Sequence, residues 1–306
     1  MGFDLRAFAQ RVRVTDGAWG TQFQKRGLAP GSSPELWNVE NPSAVESVAE
    51  SYIKAGSDVI LTNTFGANRL VLASHGLAGR VAELAEAGVR LSRKAAAGKT
   101  RMYSEFQGPR GKPADVKIFA SLGPTGKIVM MEEVSKEELS AAFGEAAEAM
   151  AWGGADAIVL ETFNELAEAR IALQAVRKAT DIPVVVSLTF ASGPDKTATM
   201  MGDKPAHLAK MAEAEGAAAV GANCGVGPDN YVAVARMLRD ATDLPIWIKP
   251  NAGLPVVDKK GRTTFPMSPR EFAAFVPKLI ATGANFIGGC CGTTPAHIEA
   301  VRAAVR

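Results

Sequence analysis

The 306-residue chain has little of what marks an extracellular, nucleic-acid-binding or membrane protein. Cysteine occurs only three times, with two of the three adjacent at Cys290 and Cys291, which excludes a disulfide framework. Long apolar runs are missing too. The opening MGFDLRAFAQRVRVTDGAWG lacks a signal-peptide core, and no window approaches the ~18 uninterrupted apolar residues of a membrane helix. The cytoplasm is the expected compartment. Charge of one sign is not in excess: 34 basic residues against 32 acidic ones leave a net +2 without runs, which excludes a nucleic-acid or other polyanion footprint. Aromatic residues make up 7%, and there is no heptad, fixed-period repeat or low-complexity tract.

What is present is apolar material, 47% of the chain, arranged in short runs and longer amphipathic stretches. Runs that read as strands lie at 12–16, 58–62, 117–121, 156–161, 183–189, 218–223, 245–249 and 285–289. Helical patterns fall at 42–55, 81–94, 136–152, 165–180, 204–215, 229–240, 269–282 and 295–305. This alternation implies βα units and a parallel sheet. Eight units in one α/β domain spanning residues 1–306 fit a (β/α)8 TIM barrel better than a doubly wound sheet, which typically stops at five or six strands. Asn41 before Pro42 and Ser268 before Pro269 offer a capping side chain ahead of a proline at the first helical position. Two irregular inserts stand out at 24–40 and 98–115, and the second, rich in Gly, Pro, Arg and Lys, is expected to be a mobile surface loop.

In such a barrel the chemistry sits where strands end and βα loops begin. All three cysteines fall there: Cys224 follows the sixth run in VGANCGVGP, while Cys290 and Cys291 follow the eighth in FIGGCCGTTP. Ends of strands two apart can converge. Three thiolates then form a soft, tetrahedral-compatible set for zinc that leaves a fourth position open for substrate. Two other readings stand beside this one. The cysteines could be small buried hydrophobes packing the rim, or Cys290 and Cys291 a redox pair, although vicinal cysteines close a strained ring and lack the usual Cys-x-x-Cys spacing. A three-thiolate zinc would bind an incoming thiol as thiolate. Hydrolysis by zinc-bound water normally draws on histidine and carboxylate ligands, and none of His75, His207 and His297 has the context of one.

GANCGVGP and GGCCGTTP, with DGAWGTQFQKRG, AGSDVILTNTF, SLGPTG and GADAIVLETF, resemble the homocysteine S-methyltransferase family over about residues 16–305. That family includes the homocysteine-binding barrel of cobalamin-dependent methionine synthase, betaine-homocysteine methyltransferases and S-methylmethionine-dependent enzymes. The resemblance implies a zinc-dependent barrel that binds homocysteine through sulfur and methylates it to methionine. Cys224, Cys290 and Cys291 match the family's zinc ligands. Asp16 and Gly17 match the acid and glycine around the amino-acid end of homocysteine, and Glu161 matches the carboxylate that takes its ammonium. A zwitterion needs such an anion and N–H donors for its carboxylate. By position alone, Glu161 also reads as a solvated strand-end carboxylate and Asp16 as a turn residue before glycine. Asn251 in KPNAG matches an asparagine that approaches zinc in some relatives when substrate is absent, and it also reads as a turn-former. Asn63, Thr64, Ser121, Gly123 and Pro124 line the expected mouth.

The methyl donor is where members of the family part. Relatives that use betaine carry tyrosines where this chain has Thr162 and Gly66, and Trp19 and Trp37 read as mouth or core alike. TNTFGANR, SLGPTGK, PNAGLP and GGCCGTTPAHI look most like the barrel of the cobalamin-dependent enzyme, which implies a methyl-corrinoid donor. The chain reaches Arg306 without a folate barrel, a corrinoid domain or an Asp-x-His-x-x-Gly motif. A corrinoid-binding protein docking at the mouth, or the remainder of a longer protein, would then have to carry the donor. Two rival functions are a freestanding enzyme using betaine, S-methylmethionine or another onium donor, and a non-catalytic zinc-thiolate barrel that stores or senses metal or thiol. A zinc hydrolase on the same barrel would need a general base beside the metal.

Overall fold

The computed structural model describes residues 2–103, 115–257 and 263–305. The apolar runs become strands because they are covered on both faces, which suits parallel pairing under a layer of helices. In chain order the strands are β1 (Arg13–Val14), β2 (Val59–Ile60), β3 (Lys117–Leu122), β4 (Ala157–Phe163), β5 (Val184–Leu188), β6 (Ala219–Asn223), β7 (Ile246–Lys249), β8 (Val256–Val257), β9 (Thr263–Thr264) and β10 (Ala284–Ile287). Eight of them form one parallel sheet in the order β1-β10-β7-β6-β5-β4-β3-β2. A parallel bridge between Thr15 and Val59, with the Asp58 amide donating to the Val14 carbonyl at 2.7 Å, brings the two ends together. The result is a (β/α)8 TIM barrel, and all eight expected runs are its strands.

Residue alternation then sorts the interior into layers. Val59, Phe119, Ala157, Val159, Val185, Ala219, Trp247 and Phe286 fill the barrel, with Phe119 and Trp247 stacked at 5.9 Å. Small alanines on β4 and β6 make room for these rings. The short helix Leu5–Phe8 closes the floor, where Phe3 and Phe8 pack against Phe119 and Phe286. Two residues further along their strands, the inward positions turn polar: Ser121 after Phe119, Glu161 after Val159, Ser187 after Val185 and Lys249 after Trp247, all buried. An apolar plug thus carries a polar layer directly above it, at the ends of the strands.

Four local expectations need correction or extension. The helix expected over 269–282 is two helices, Pro269–Ala273 and Val276–Ala281, because Pro277 has no N–H and its ring clashes with the carbonyl four residues earlier. Ser268 caps the first of them in a full capping box with Glu271, whereas Asn41 makes no side-chain cap and instead accepts from the Ser43 hydroxyl at 3.3 Å. Residues 24–40 are ordered in part as the helices Pro34–Leu36 and Trp37–Glu40. The helix Val81–Tyr103 runs well into the segment expected to be a mobile loop, and residues 104–114 of that segment lie outside the described residues. The antiparallel β8–β9 pair was not foreseen. Among the described residues, no helix is long and apolar enough to cross a membrane.

Candidate active site

Cys224 follows β6 in the left-handed backbone region, at φ 63°, a conformation uncommon outside glycine. Tertiary hydrogen bonds hold it there. The Cys224 amide donates to the Lys249 carbonyl at 3.1 Å, and the buried Tyr231 hydroxyl lies 2.7 Å from the Cys224 carbonyl and 2.8 Å from that of Asn223. On the other side of β7, the Cys290 amide donates to the Pro250 carbonyl at 2.7 Å and the Ala252 amide to the Cys291 carbonyl at 3.0 Å. The end of β7 therefore ties both cysteine loops together. It leaves the sulfurs of Cys224 and Cys291 3.9 Å apart and all three within 4.8 Å of one another.

Sulfurs around a tetrahedral zinc at Zn–S of about 2.3 Å are separated by about 3.8 Å, so the donor set fits that ion in chemistry and spacing. Metal-free, the thiols resist ionisation together. For Cys224, a hydrogen bond with Cys290 lowers the pKa, but the contact with Cys291, burial and the neighbouring Cys291 charge push it up to about 12. Cys290 is raised by its hydrogen bond to Cys224 and by burial. A cation that accepts all three sulfurs removes that mutual penalty. Nearby, the side-chain oxygen of Asn251 is buried with no hydrogen-bond partner among the described residues.

At the floor of the same cavity lies a charged cluster. Glu161 is buried at the end of β4 and accepts a hydrogen bond from the Ser121 hydroxyl. Burial pushes its carboxyl above the usual range, opposed by the Lys249 ammonium and by Ser121. Asp16 is fully buried and is a strut, not a turn residue. One of its oxygens pairs with the Lys249 ammonium, while the other accepts from the Trp19 indole and the Leu61 amide at 2.7 Å each. Gly17 is required by packing, since a Cβ there would stand 2.7 Å from the Thr293 hydroxyl and 2.8 Å from that of Tyr52. Thr162 also has a left-handed backbone, at φ 68°, and is clamped by Asn223, which accepts from its amide at 2.9 Å and donates to its hydroxyl at 2.7 Å.

Most of these groups share a cavity of about 360 Å³, although Asp16 and Asn251 are not on its lining. Gly17, Glu161, Lys249 and the three cysteines meet there with Trp19, Phe23, Glu35, Phe65 and His75 on the walls. Ser121 and Asn63 also line it, although the Asn63 side chain is engaged by the Pro34 carbonyl and Asn38. Thr64, Gly123 and Pro124 stand behind the lining. The Thr64 hydroxyl donates to the Ser121 carbonyl, and a Cβ on Gly123 would meet the Phe65 ring at 2.5 Å. Trp37 packs on Phe23 at 5.6 Å, outside the cavity. Lys249 is a charged residue of the cavity lining that reading the chain missed. Its signal was a lone lysine on an apolar strand, IWIK, in the inward register that Trp247 begins.

The family model for homocysteine S-methyltransferase matches residues 13–305. Methionine synthase of Mycobacterium tuberculosis is 34% identical over 98% of this chain, and that of Mycobacterium leprae is equally similar. The chain spans about 25% of the length of these relatives. Among solved structures, the oxidized form of the homocysteine methyltransferase MmuM from Escherichia coli superposes with a TM-score of 0.81 at 25% identity, covering 99% of both chains. Its metallated form gives 0.80 at the same identity. With the cysteine cluster and the barrel that presents it, the match over nearly the whole chain leads to one assignment: this chain belongs to the homocysteine S-methyltransferase family.

Proposed function

We propose that the chain transfers a methyl group to the sulfur of homocysteine, giving methionine, and that it does so as a zinc enzyme. The supporting observation is one cavity that holds both a three-sulfur cluster and the buried carboxylate of Glu161. Cys224, Cys290 and Cys291 would hold the metal, and Asn251, whose side-chain oxygen has no partner among the described residues, would be a labile fourth ligand. When bound, zinc would supply Lewis acidity that lets the acceptor sulfur bind as thiolate at neutral pH. Glu161 takes the substrate ammonium, and the Gly17 backbone faces its carboxylate. Asp16 contributes by holding the Trp19 indole and Lys249 at the cavity wall. In the transfer, a sulfur lone pair forms the new C–S bond while the donor–methyl bond breaks and its electron pair stays with the donor. The thiol proton has already left to solvent.

For the donor, a protein-carried methyl-corrinoid is the reading favoured by the rim. The loops after β2, β3, β5 and β7 expose Phe65, Met130, Met131, Met200, Leu254 and Val257, a broken apolar ring of the kind a partner surface covers. An onium donor is the second reading. Trp19, Phe65 and Glu35 line the cavity, and aromatic faces beside a carboxylate suit a small cation. Zinc-loaded protein incubated with homocysteine and, in turn, methylcobalamin, S-methylmethionine and betaine separates these readings. Methionine from methylcobalamin supports the corrinoid reading, and methionine from an onium donor alone replaces it. Zinc-loaded protein that binds no homocysteine, and gives no methionine with any donor, leaves a non-catalytic zinc-thiolate barrel.

A further inference from the structure

We propose that Lys249 is a specificity-determining residue that takes the carboxylate of the acceptor's amino-acid end, so that Lys249 and Glu161 together select a zwitterionic thiol. This rests on the homocysteine reading and names a residue that reading does not use. The ammonium of Lys249 is buried, with a side chain only 2% exposed, yet it lines the cavity beside Glu161 and the cysteines. An ammonium carries three N–H donors, and burying one is costly unless each is satisfied. Among the described residues, Asp16 is its only ion-pair or hydrogen-bond partner, and the Trp247 ring lies 5.6 Å below it. Asp16 cannot turn away to a ligand, because its other oxygen is held by Trp19 and Leu61. Two donors therefore remain for whatever fills the cavity.

Glu161 completes the complement. One of its oxygens accepts from Ser121, and among the described residues the other has no hydrogen-bond partner. No ion pair joins it to Lys249 among those residues, although the two charges are close enough to act on each other. The cavity thus offers a spare carboxylate oxygen and the two remaining donors of the Lys249 ammonium side by side. An α-amino acid end, with one ammonium and one carboxylate on the same carbon, is the ligand that satisfies both.

The test uses zinc-loaded protein and isothermal calorimetry with three thiols: homocysteine, 4-mercaptobutanoate, which lacks the ammonium, and 3-aminopropane-1-thiol, which lacks the carboxylate. Lys249→Gln is expected to weaken homocysteine and 4-mercaptobutanoate about 10–100-fold, the range of a charged hydrogen bond, while leaving 3-aminopropane-1-thiol unchanged. Glu161→Gln should do the reverse, weakening the two amines only. Equal loss of all three thiols in Lys249→Gln, with zinc content intact, would make the lysine a structural strut and overturn the proposal, as would no loss at all. If Lys249→Gln fails to fold, the paired Asp16→Asn/Lys249→Met removes both buried charges together and must give the same split. Wild-type protein that binds none of the three thiols overturns the homocysteine reading itself, and this proposal with it.

Discussion

Cys224, Cys290 and Cys291 are each partly exposed at the barrel rim, where removing a sulfur takes little from the core. Cys224→Ala or Cys291→Ala is therefore expected to abolish zinc retention, read by elemental analysis after dialysis, while the far-UV circular dichroism keeps its wild-type shape. Loss of that spectrum would mean that the sulfurs are part of the packing. Glu161 sits on β4 and bonds to Ser121, not to a cysteine. Glu161→Ala should leave zinc content unchanged and weaken homocysteine by roughly 10–150-fold, as loss of a charged hydrogen bond does. Metal loss in that variant would contradict its assignment to the ammonium. At this scale the chain was legible where chemistry is rare: three cysteines at strand ends can be found by eye, whereas Lys249 is one of 34 cations and gains its meaning only from the register that turns it inward.

Between β6 and the helix Pro228–Ala241, the chain passes through two consecutive left-handed residues, Cys224 and Gly225. Tyr231, on the first turns of that helix, reaches back to the carbonyls of Asn223 and Cys224 and fixes the loop that presents the sulfur. Tyr231→Phe keeps the buried ring and removes only this tie. Zinc affinity is expected to fall about tenfold, in line with the loss of other outer supports of metal ligands, measured by competition with a chelating dye. Unchanged affinity would show that the strand end alone positions the cysteine. Elements were legible from the chain because periodicity is local, as for the helix Lys136–Trp152, which was read to the residue. The β8–β9 pair escaped, since strands of two residues have no period to read.

For the molecule as a whole, the clustered thiols couple metal, pH and stability. The folded pKa of Cys224, about 12, lies above the roughly 8.5 of an unfolded thiol, so the folded state holds the proton more tightly. The stability this confers on metal-free protein is fully present below about pH 8.5 and is lost as pH rises towards 12. The buried phenols of Tyr52 and Tyr231, also raised by burial, act in the same direction but do so with or without zinc. Melting temperature followed by scanning fluorimetry from neutral to alkaline pH should therefore fall more steeply for metal-free than for zinc-loaded protein. Parallel curves would mean that the three thiols do not titrate as a cluster. In acid the order reverses, because protonation of the sulfurs releases the metal.

The amino-acid sequence by itself determined the barrel, because strand and helix periods are written locally and eight alternations leave one economical closure. It determined the three sulfurs as well, because no other cysteine competes with them. Only the tertiary structure decided the rest. Asp16, a turn residue before glycine by position alone, is buried in the fold because β2 and β7 bring the Leu61 amide and Lys249 to it across 45 and 233 residues. Among the described residues the Asn251 side-chain oxygen has no partner, while the backbone bonds around it tie the two cysteine loops to the end of β7. Partners so distant in the chain leave no local trace, and the charges of the cavity acquire their pairing only when the strands close into a ring.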